Sequence, residues 1–237
     1  MSEILITDKN DFPEKVLGKI YTKLFGYKTN GFLVEIGVGN CMASLGAGSN
    51  TANLADMGWS GVYIEPNPDF IDQIKERHVN NNVTVLNYAA GDVEQELELR
   101  GDTTSTDTLK AFRKLGWYGA GEDEICHHVK QLPVNDLFEK SQVPSRFDLL
   151  TVDVEGAEYK ILNSLDFNRW RPAVVMLEIR VNDPHFNDFP ELVQLSKDSI
   201  NVLHNNGYRV VYEDYQNAFF VSDVLGGAVL RLSLIHI

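Results

Sequence analysis

The sequence predicts an α/β fold in which a mostly parallel, seven-stranded sheet carries helices on both faces and ends in an antiparallel hairpin. Apolar runs of strand length alternate with stretches of helical periodicity, which is typical of right-handed βαβ units around a parallel sheet. A short turn joins the last two runs, and so tight a connection produces antiparallel neighbours. Acidic or glycine-bearing motifs follow four of the runs, at the sheet edge where parallel sheets bind ligands.

Seven apolar runs are predicted to be buried strands. In chain order they are residues 32–38, 62–64, 83–88, 147–152, 173–179, 208–212 and 218–221. The turn that joins the last two covers residues 214–217. Because this turn permits only antiparallel pairing, it distinguishes the sheet from a plain nucleotide-binding sheet, which continues parallel.

Helices are predicted between the strands from apolar periodicity and capping residues. They are residues 12–25, a helix ending near 57, residues 68–80, 106–115, a short helix near 135, residues 157–165 and 191–203. Ser49-Asn50-Thr51 is expected to cap the second helix, and Asn135 the short one. Asn67 followed by Pro68 predicts an N-cap and first helical position for the third.

The alternation pauses between residues 93 and 145. Compact domains rarely keep so long a passage without a task, so we expect a lid or substrate-recognition insert in a single domain spanning residues 1–231. A surface excursion without function is the alternative. Residues 232–237 resemble the translated read-through of a sequencing-library adapter. We therefore expect a non-native tail there rather than a natural apolar end.

Charge and composition narrow the possible partners. The chain has 237 residues and a formal net charge of −13, which argues against nucleic acid and anionic membranes because phosphate binding needs a basic surface. A neutral or cationic small ligand suits the chain better. Only Cys41 and Cys126 are present, and neither a leader nor a membrane-length apolar run occurs. These features predict a soluble, cytoplasmic protein.

A glycine turn follows the first predicted strand in the motif Glu35-Ile36-Gly37-Val38-Gly39. Gly37 and Gly39 allow a tight turn and let a ligand approach the backbone closely. The dinucleotide fingerprint needs a third glycine where Met42 stands, and a phosphate-binding P-loop needs Gly-Lys-Ser/Thr, which is absent. A purely geometric role of the two glycines stays open.

Two acids mark the ends of the next strands. Glu65 ends the second strand, where a carboxylate can accept hydrogen bonds from both ribose hydroxyls, and Pro66 helps to fix its direction. Asp92 follows small residues that leave room for a flat ring, so it is expected to accept from an adenine amine. A solvated loop acid and a turn-forming Gly-Asp are the alternatives.

A third group of acids stands at the end of the fourth strand and near the end of the fifth. Asp153 and Glu155 are the candidate catalytic residues, since clustered carboxylates can raise one another's proton affinity until one serves as a general base. Positioning of a cofactor, binding of a divalent metal and a structural role remain open for them. Cys126-His127-His128 predicts no metal centre, because adjacent residues cannot easily converge on one ion.

With these residues in hand, the chain over about residues 32–221 resembles the FkbM family of S-adenosylmethionine-dependent methyltransferases. The motifs that carry the resemblance are Val34-Glu35-Ile36-Gly37, Ser49-Asn50-Thr51, Gly58-Trp59-Ser60-Gly61, Ile64-Glu65-Pro66-Asn67-Pro68 and Asp153-Val154-Glu155-Gly156-Ala157-Glu158. The resemblance implies a Rossmann-like class I methyltransferase sheet. The chain departs from the family at Cys41, where a third glycine is common, and at Val134-Asn135-Asp136, where the family has Leu-Asp-Asp.

The resemblance also implies roles for the motif residues. Glu35, Gly37 and Gly39 would line the methionine part of S-adenosylmethionine. Glu65 would bind its ribose, Asp92 its adenine, and Asp153 would lie in the cleft beside the sulfonium. The implied reaction is methylation of a hydroxyl on a sugar, lipid or other small metabolite. An NAD-dependent Rossmann oxidoreductase and a non-catalytic cofactor-binding module are the alternatives.

Overall fold

The computed structural model describes residues 13–26, 28–41, 48–118 and 125–224. The strands are β1 (Phe32–Ile36), β2 (Ser60–Ile64), β3 (Val83–Leu86), β4 (Ala89–Gly91), β5 (Gln95–Arg100), β6 (Cys126–Pro133), β7 (Arg146–Val152), β8 (Arg171–Glu178), β9 (Tyr208–Glu213) and β10 (Asn217–Ser222). The helices are α1 (Pro13–Phe25), α2 (Ala52–Asp56), α3 (Pro68–Arg77), α4 (Thr106–Leu115), α5 (Val134–Lys140), α6 (Glu158–Ser164) and α7 (Pro190–Asn205). The predicted tail, residues 232–237, lies outside the described residues.

The main sheet has seven strands in the order β3-β2-β1-β7-β8-β10-β9. Neighbouring strands from β3 to β8 run parallel, whereas β10 pairs antiparallel with both β8 and β9. The predicted fold class, a mostly parallel seven-stranded sheet with a C-terminal antiparallel hairpin, is confirmed. Because β1 lies between β2 and β7, the three strand ends that carry the glycine turn, Glu65 and Asp153 are adjacent.

Two apolar layers hold the helices on the main sheet. On one face, Ile20 and Leu24 of α1 and Ile74 of α3 pack against buried strand residues. On the other face, α5, α6 and α7 pack in the same way, with Phe138 and Ile161 in the cluster. Burial on both faces explains why the inner strands are apolar along their whole length rather than in alternation. No helix among the described residues has both the length and the hydropathy to cross a membrane.

A second, three-stranded sheet in the order β4-β6-β5 was not predicted. The third predicted strand ends two residues early, at Leu86, and the chain then enters β4 of this second sheet. Strands β5 and β6 lie in the stretch that was expected to be a lid or recognition insert, while α4 in the same stretch has its predicted bounds. β5 was missed because four of its six residues are charged or polar, so it contains no continuous apolar run.

Two of the three predicted helix caps were wrong. Asn67 caps α3 as predicted, since its side chain accepts a hydrogen bond from the backbone of Asp69. Asn135 lies inside α5, where its amide donates to the carbonyl of Ser164 at 2.7 Å, so its side chain ties α5 to α6. Residues 49–51 precede α2, and no side chain caps that helix.

We expect Val175→Ala to destabilise the fold by about 2 to 3 kcal/mol, because the buried valine loses two methyl groups and leaves a cavity. Val175 lies in β8, is fully buried, and pairs with Leu150 and Phe220 on the neighbouring strands. The matched control is Val79→Ala at a side chain that is 76% exposed, for which we expect a change within about 0.5 kcal/mol. Urea unfolding measures both, and equal losses would contradict the assignment of the core.

Candidate active site

The turn after β1 is locked against the end of β7. Gly37 has φ +83°, a conformation that favours glycine, and its N–H donates to the carbonyl of Ile64 at 3.0 Å. A Cβ added at Gly37 would lie only 1.7 Å from the carbonyl oxygen of Asp153. The N–H of Asp153 in turn donates to the carbonyl of Ile36. Gly37 is therefore required both by backbone conformation and by space.

Glu65 holds this glycine turn with its carboxylate. One oxygen accepts from the N–H groups of Val38 at 3.0 Å and Gly39 at 2.9 Å, and the other accepts from Asn67 at 2.8 Å. Burial raises the pKa of Glu65 to about 7, and the three backbone N–H bonds oppose that rise. The predicted ribose-binding acid therefore lies directly beside the glycines, on the adjacent strand.

Glu35 lies beneath the strand ends and is fully buried. Its carboxylate accepts hydrogen bonds from the hydroxyls of Ser49 and Thr51 and from the backbone N–H of Asn50. The side chains of Ser49 and Thr51, which were expected to cap α2, thus donate to Glu35 instead. The side chain of Asn50 donates to Asp153 at 3.0 Å. Glu35 therefore fixes residues 49–51, and through Asn50 these residues hold the side chain of Asp153.

Asp153 and Glu155 stand on the sharp turn between β7 and α6. Asp153 is 7% exposed, and Glu155 adopts a left-handed φ of +56°. The carboxylate of Glu158 accepts from the N–H groups of Val154 and Gly156, each at 3.1 Å, and these two bonds stabilise the turn. The hydroxyl of Thr103 donates to the carbonyl of Glu155 at 2.7 Å, so the stretch between residues 93 and 145 also holds the turn.

Sequence reasoning missed Arg180. Its guanidinium forms an ion pair with Glu155 and two hydrogen bonds of 3.1 Å with Glu178, the last residue of β8. Burial lowers the pKa of Arg180, but the nearby carboxylates of Glu178 and Glu155 raise it by more, so that it lies above its ordinary range. Burial raises the pKa of Glu178 well above its ordinary range, against the effect of the arginine. The signal in the sequence was an arginine two residues beyond Glu178, just after a buried strand.

Three carboxylates meet at this end of the sheet. Asp153, Glu155 and Glu178 each place one oxygen within 4.8 Å of the others. With one guanidinium among them, the group has an excess of negative charge. Such a site suits a cationic ligand such as a sulfonium, because opposite charges attract more strongly in a partly buried site than in water. The chemistry of these donors therefore fits the sulfonium cofactor that the resemblance implies.

The remaining predicted residues lie further from this group. Pro66 follows Glu65, and its carbonyl accepts from the side chain of Asn87 at 2.9 Å, which fixes the chain direction there. Asp92 is exposed and follows β4 of the second sheet. Glu35, Gly37, Gly39, Glu65, Asp153 and Glu155 come from the adjacent ends of β2, β1 and β7, whereas Asp92 does not. Its adenine contact stays a prediction.

Aromatic rings border the acidic group. The indole of Trp117 is 43% exposed, and its ring lies 5.1 Å from Phe112 and 5.4 Å from Phe186. The guanidinium of Arg180 stacks on the ring of Phe186 at 4.5 Å. The exposed ring of Trp117 therefore contacts Phe186, which in turn contacts the buried guanidinium of Arg180.

Comparison with known proteins gives a family match. The family model described as the methyltransferase FkbM domain matches residues 39–210. None of the curated proteins compared with the chain matches it.

Solved structures of an FkbM methyltransferase and of two fibrillarins are similar to this chain at low identity. An FkbM methyltransferase from Methylobacillus flagellatus KT has 12% identity and a TM-score of 0.48, with 84% of this chain and 47% of that one covered. Fibrillarin from Methanococcus jannaschii has 12% identity and a TM-score of 0.44, with 83% and 68% covered. Fibrillarin from Aeropyrum pernix, with bound S-adenosyl-L-methionine, has 10% identity and a TM-score of 0.45, with 87% and 74% covered. The chain spans about half the length of the Methylobacillus protein.

We expect Gly37→Ala to destabilise the fold by at least about 2 kcal/mol more than Gly116→Ala, because both alanines adopt a left-handed φ but only the first meets a neighbour. A Cβ at Gly116, with φ +67°, has nothing within 4 Å, whereas at Gly37 it strikes Asp153. The control thus carries the backbone strain alone, about 1 to 2 kcal/mol. Equal free energies of unfolding in urea would contradict the close approach of β1 and β7.

Glu65 should make stability depend on pH. Its pKa rises from an ordinary value of 4.5 in the unfolded chain to about 7 in the folded one, so the folded state binds more protons between these values. The free energy of unfolding therefore falls as pH rises through this window, by roughly 3 kcal/mol from this group. In Glu65→Gln this part of the fall should vanish, while the exposed control Glu76→Gln keeps it. The same pH profile in all three proteins would refute the assignment.

Proposed function

The chain belongs to the methyltransferase FkbM domain family, and from this premise we propose that it methylates a hydroxyl oxygen on a small acceptor such as a sugar or a lipid. Membership of this family makes the chain an S-adenosylmethionine-dependent methyltransferase, so the predicted family and the predicted cofactor, S-adenosylmethionine, are confirmed. The oxygen acceptor, its small size and the roles of individual residues are the parts that we propose.

One observation supports the placement of the cofactor above all. The glycine turn, Glu65 and Asp153 meet at the adjacent ends of β2, β1 and β7, where a parallel sheet binds ligands. The Glu65 oxygen that accepts from Asn67 has a second lone pair, and in this proposal that lone pair accepts from a ribose hydroxyl. The other oxygen already accepts from both Val38 and Gly39. In this proposal Gly37, Gly39 and Asp153 surround the methionine part, Glu65 and Pro66 the ribose side, and Asp92 the adenine. Glu35 serves the methionine part indirectly, by holding residues 49–51.

When bound, S-adenosylmethionine supplies an electrophilic methyl group on a positively charged sulfur. The protein then has mainly to align the acceptor oxygen about 3 to 3.5 Å from that carbon and in line with the sulfur. Asp153, Glu155 and Glu178 stabilise the positive charge in the cleft. An alcohol must also lose a proton, and in this proposal a carboxylate oxygen of Asp153 or Glu155 accepts it, a contribution of roughly 10² to 10⁴ in rate.

We assign acceptor recognition to the stretch between residues 93 and 145. It holds the acidic turn through Thr103, and it presents the exposed ring of Trp117 next to Phe186. A small acceptor with an apolar face could stack on this ring and present a hydroxyl to the acids. The net charge of −13 disfavours nucleic acid as the acceptor.

The two alternative functions predict different ligands and products. An oxidoreductase would bind NAD, but the chain lacks the third glycine of the dinucleotide fingerprint at Met42. A non-catalytic module would bind the cofactor without turnover. Formation of S-adenosylhomocysteine, in a screen of hydroxylated metabolites with a radiolabelled methyl donor, separates the enzyme from the module. Binding of NAD in place of S-adenosylmethionine would refute the proposed function.

We expect Glu65→Ala to weaken S-adenosylmethionine binding at least about tenfold, since it removes a charged hydrogen-bond acceptor and frees the glycine turn. The matched control is Glu76→Ala on the exposed side of α3, which should leave the affinity unchanged. Calorimetric titration measures the affinities, and circular dichroism checks that each variant is folded. An unchanged affinity in folded Glu65→Ala would refute the assignment of this residue to the ribose.

A further inference from the structure

Arg180 occupies the space between carboxylates that would suit a metal ion. Asp153, Glu155 and Glu178 each offer an oxygen, and the three oxygens lie within 4.8 Å of one another. Hard divalent cations in proteins take oxygen ligands of this kind. Yet the guanidinium of Arg180 donates to Glu155 and Glu178, two of the three acids, and its charge also acts on Asp153. The carboxylates therefore already share a cation that belongs to the chain.

The arginine is fixed in this position from every side. Its side chain is 9% exposed, and its backbone N–H donates to the hydroxyl of Ser196 in α7 at 3.1 Å. Its guanidinium lies on the ring of Phe186 at 4.5 Å and near the ring of Phe112 at 5.7 Å. A planar guanidinium stacks on aromatic faces and pairs with a carboxylate through two parallel bonds, which an ammonium group cannot do. The neighbouring aromatic rings and Glu178 together select this orientation.

We propose that Arg180 is the built-in cation of this site: it stands where a divalent metal would bind and positions Glu155 and Glu178, so that methyl transfer proceeds without a metal. Two features favour this. The guanidinium keeps its charge at any physiological pH, so Glu155 and Glu178 stay paired with it, while the three acids together keep their excess of negative charge. A metal ion ligated directly by these carboxylate oxygens would have to break their bonds to Arg180 or bind beside its buried charge, and both are unfavourable. A sulfonium needs no such ligation.

Without a metal ion, the carboxylates themselves must take the proton of the acceptor hydroxyl. A bound metal ion would acidify the acceptor hydroxyl directly. Without one, the proton of the hydroxyl passes to a carboxylate, and the arginine sets which carboxylates are held ionised by pairing. Arg180 is thus a positioning residue that acts through Glu155 and Glu178. This consequence rests on the proposed methyltransferase function, whereas exclusion of metal by the arginine does not.

The test is a manganese titration of the full chain, followed by the electron paramagnetic resonance signal of free Mn²⁺. We expect no binding by the wild-type protein up to about 1 mM, the weak end of the range for protein sites of hard cations. In Arg180→Gln the acids lose their cation, so we expect one Mn²⁺ to bind at least about tenfold more tightly than this limit. Adding Glu178→Gln to that variant should abolish the gained binding. The control is Arg169→Gln. Arg169 is an exposed arginine that also pairs with a glutamate, Glu139, and stacks on an aromatic ring, that of Trp170. This variant should gain no Mn²⁺ binding.

Two results would overturn the proposal. One is tight Mn²⁺ binding by the wild-type protein that Glu178→Gln removes. The other is a folded Arg180→Gln that binds no Mn²⁺. If Arg180→Gln does not fold, the wild-type titration decides alone. These readings need neither cofactor nor acceptor, so a failure of the methyltransferase proposal would appear separately, as absent S-adenosylmethionine binding in calorimetry. Where turnover is found, a chelator should leave its rate unchanged.

Discussion

The close contact between the glycine turn and the end of β7 is the constraint on which the site depends. Gly37 has no Cβ, so its backbone can reach the carbonyl of Asp153, and the N–H groups of both residues donate to the neighbouring strands. Glu65, which directly follows β2, then accepts hydrogen bonds from the N–H groups of Val38 and Gly39 in this turn. With a side chain at Gly37, β1 and β7 would have to separate, and the acids they carry would no longer face one ligand.

The second constraint on the site is the pairing of its buried charges. Six ionisable groups, Glu35, Glu65, Asp153, Glu155, Glu178 and Arg180, lie buried or half-buried near the strand ends. Each has partners: hydroxyls and a backbone N–H for Glu35, backbone N–H groups for Glu65, an amide for Asp153 and the guanidinium for the last acids. Buried charges are tolerated only when paired in this way. The arrangement keeps negative charge available to a cationic ligand while the fold remains stable.

The sequence was sufficient for the main sheet but not for contacts between distant residues. Periodicity predicts a strand or helix from neighbours along the chain, so the seven strands, the hairpin and α4 were found. β5 was missed because four of its six residues are charged or polar and it contains no continuous apolar run. Ser49 looked like a helix cap because capping residues also bond buried carboxylates, and only the fold shows that its hydroxyl donates to Glu35. Arg180 pairs with Glu155 on the turn after β7 and with Glu178 at the end of β8, and a pattern of neighbouring residues does not show the contact with Glu155, 25 positions away.

The central claim is that the turn after β1 and the end of β2 form the binding surface for the adenosyl cofactor. Hydrogen–deuterium exchange with and without saturating S-adenosylmethionine tests it most directly. The account predicts slower exchange at the amides of Gly37, Val38, Gly39, Glu65 and Asn67, with no change in the β9–β10 hairpin. Saturable binding that leaves these amides unaffected, or that protects the hairpin instead, would contradict it.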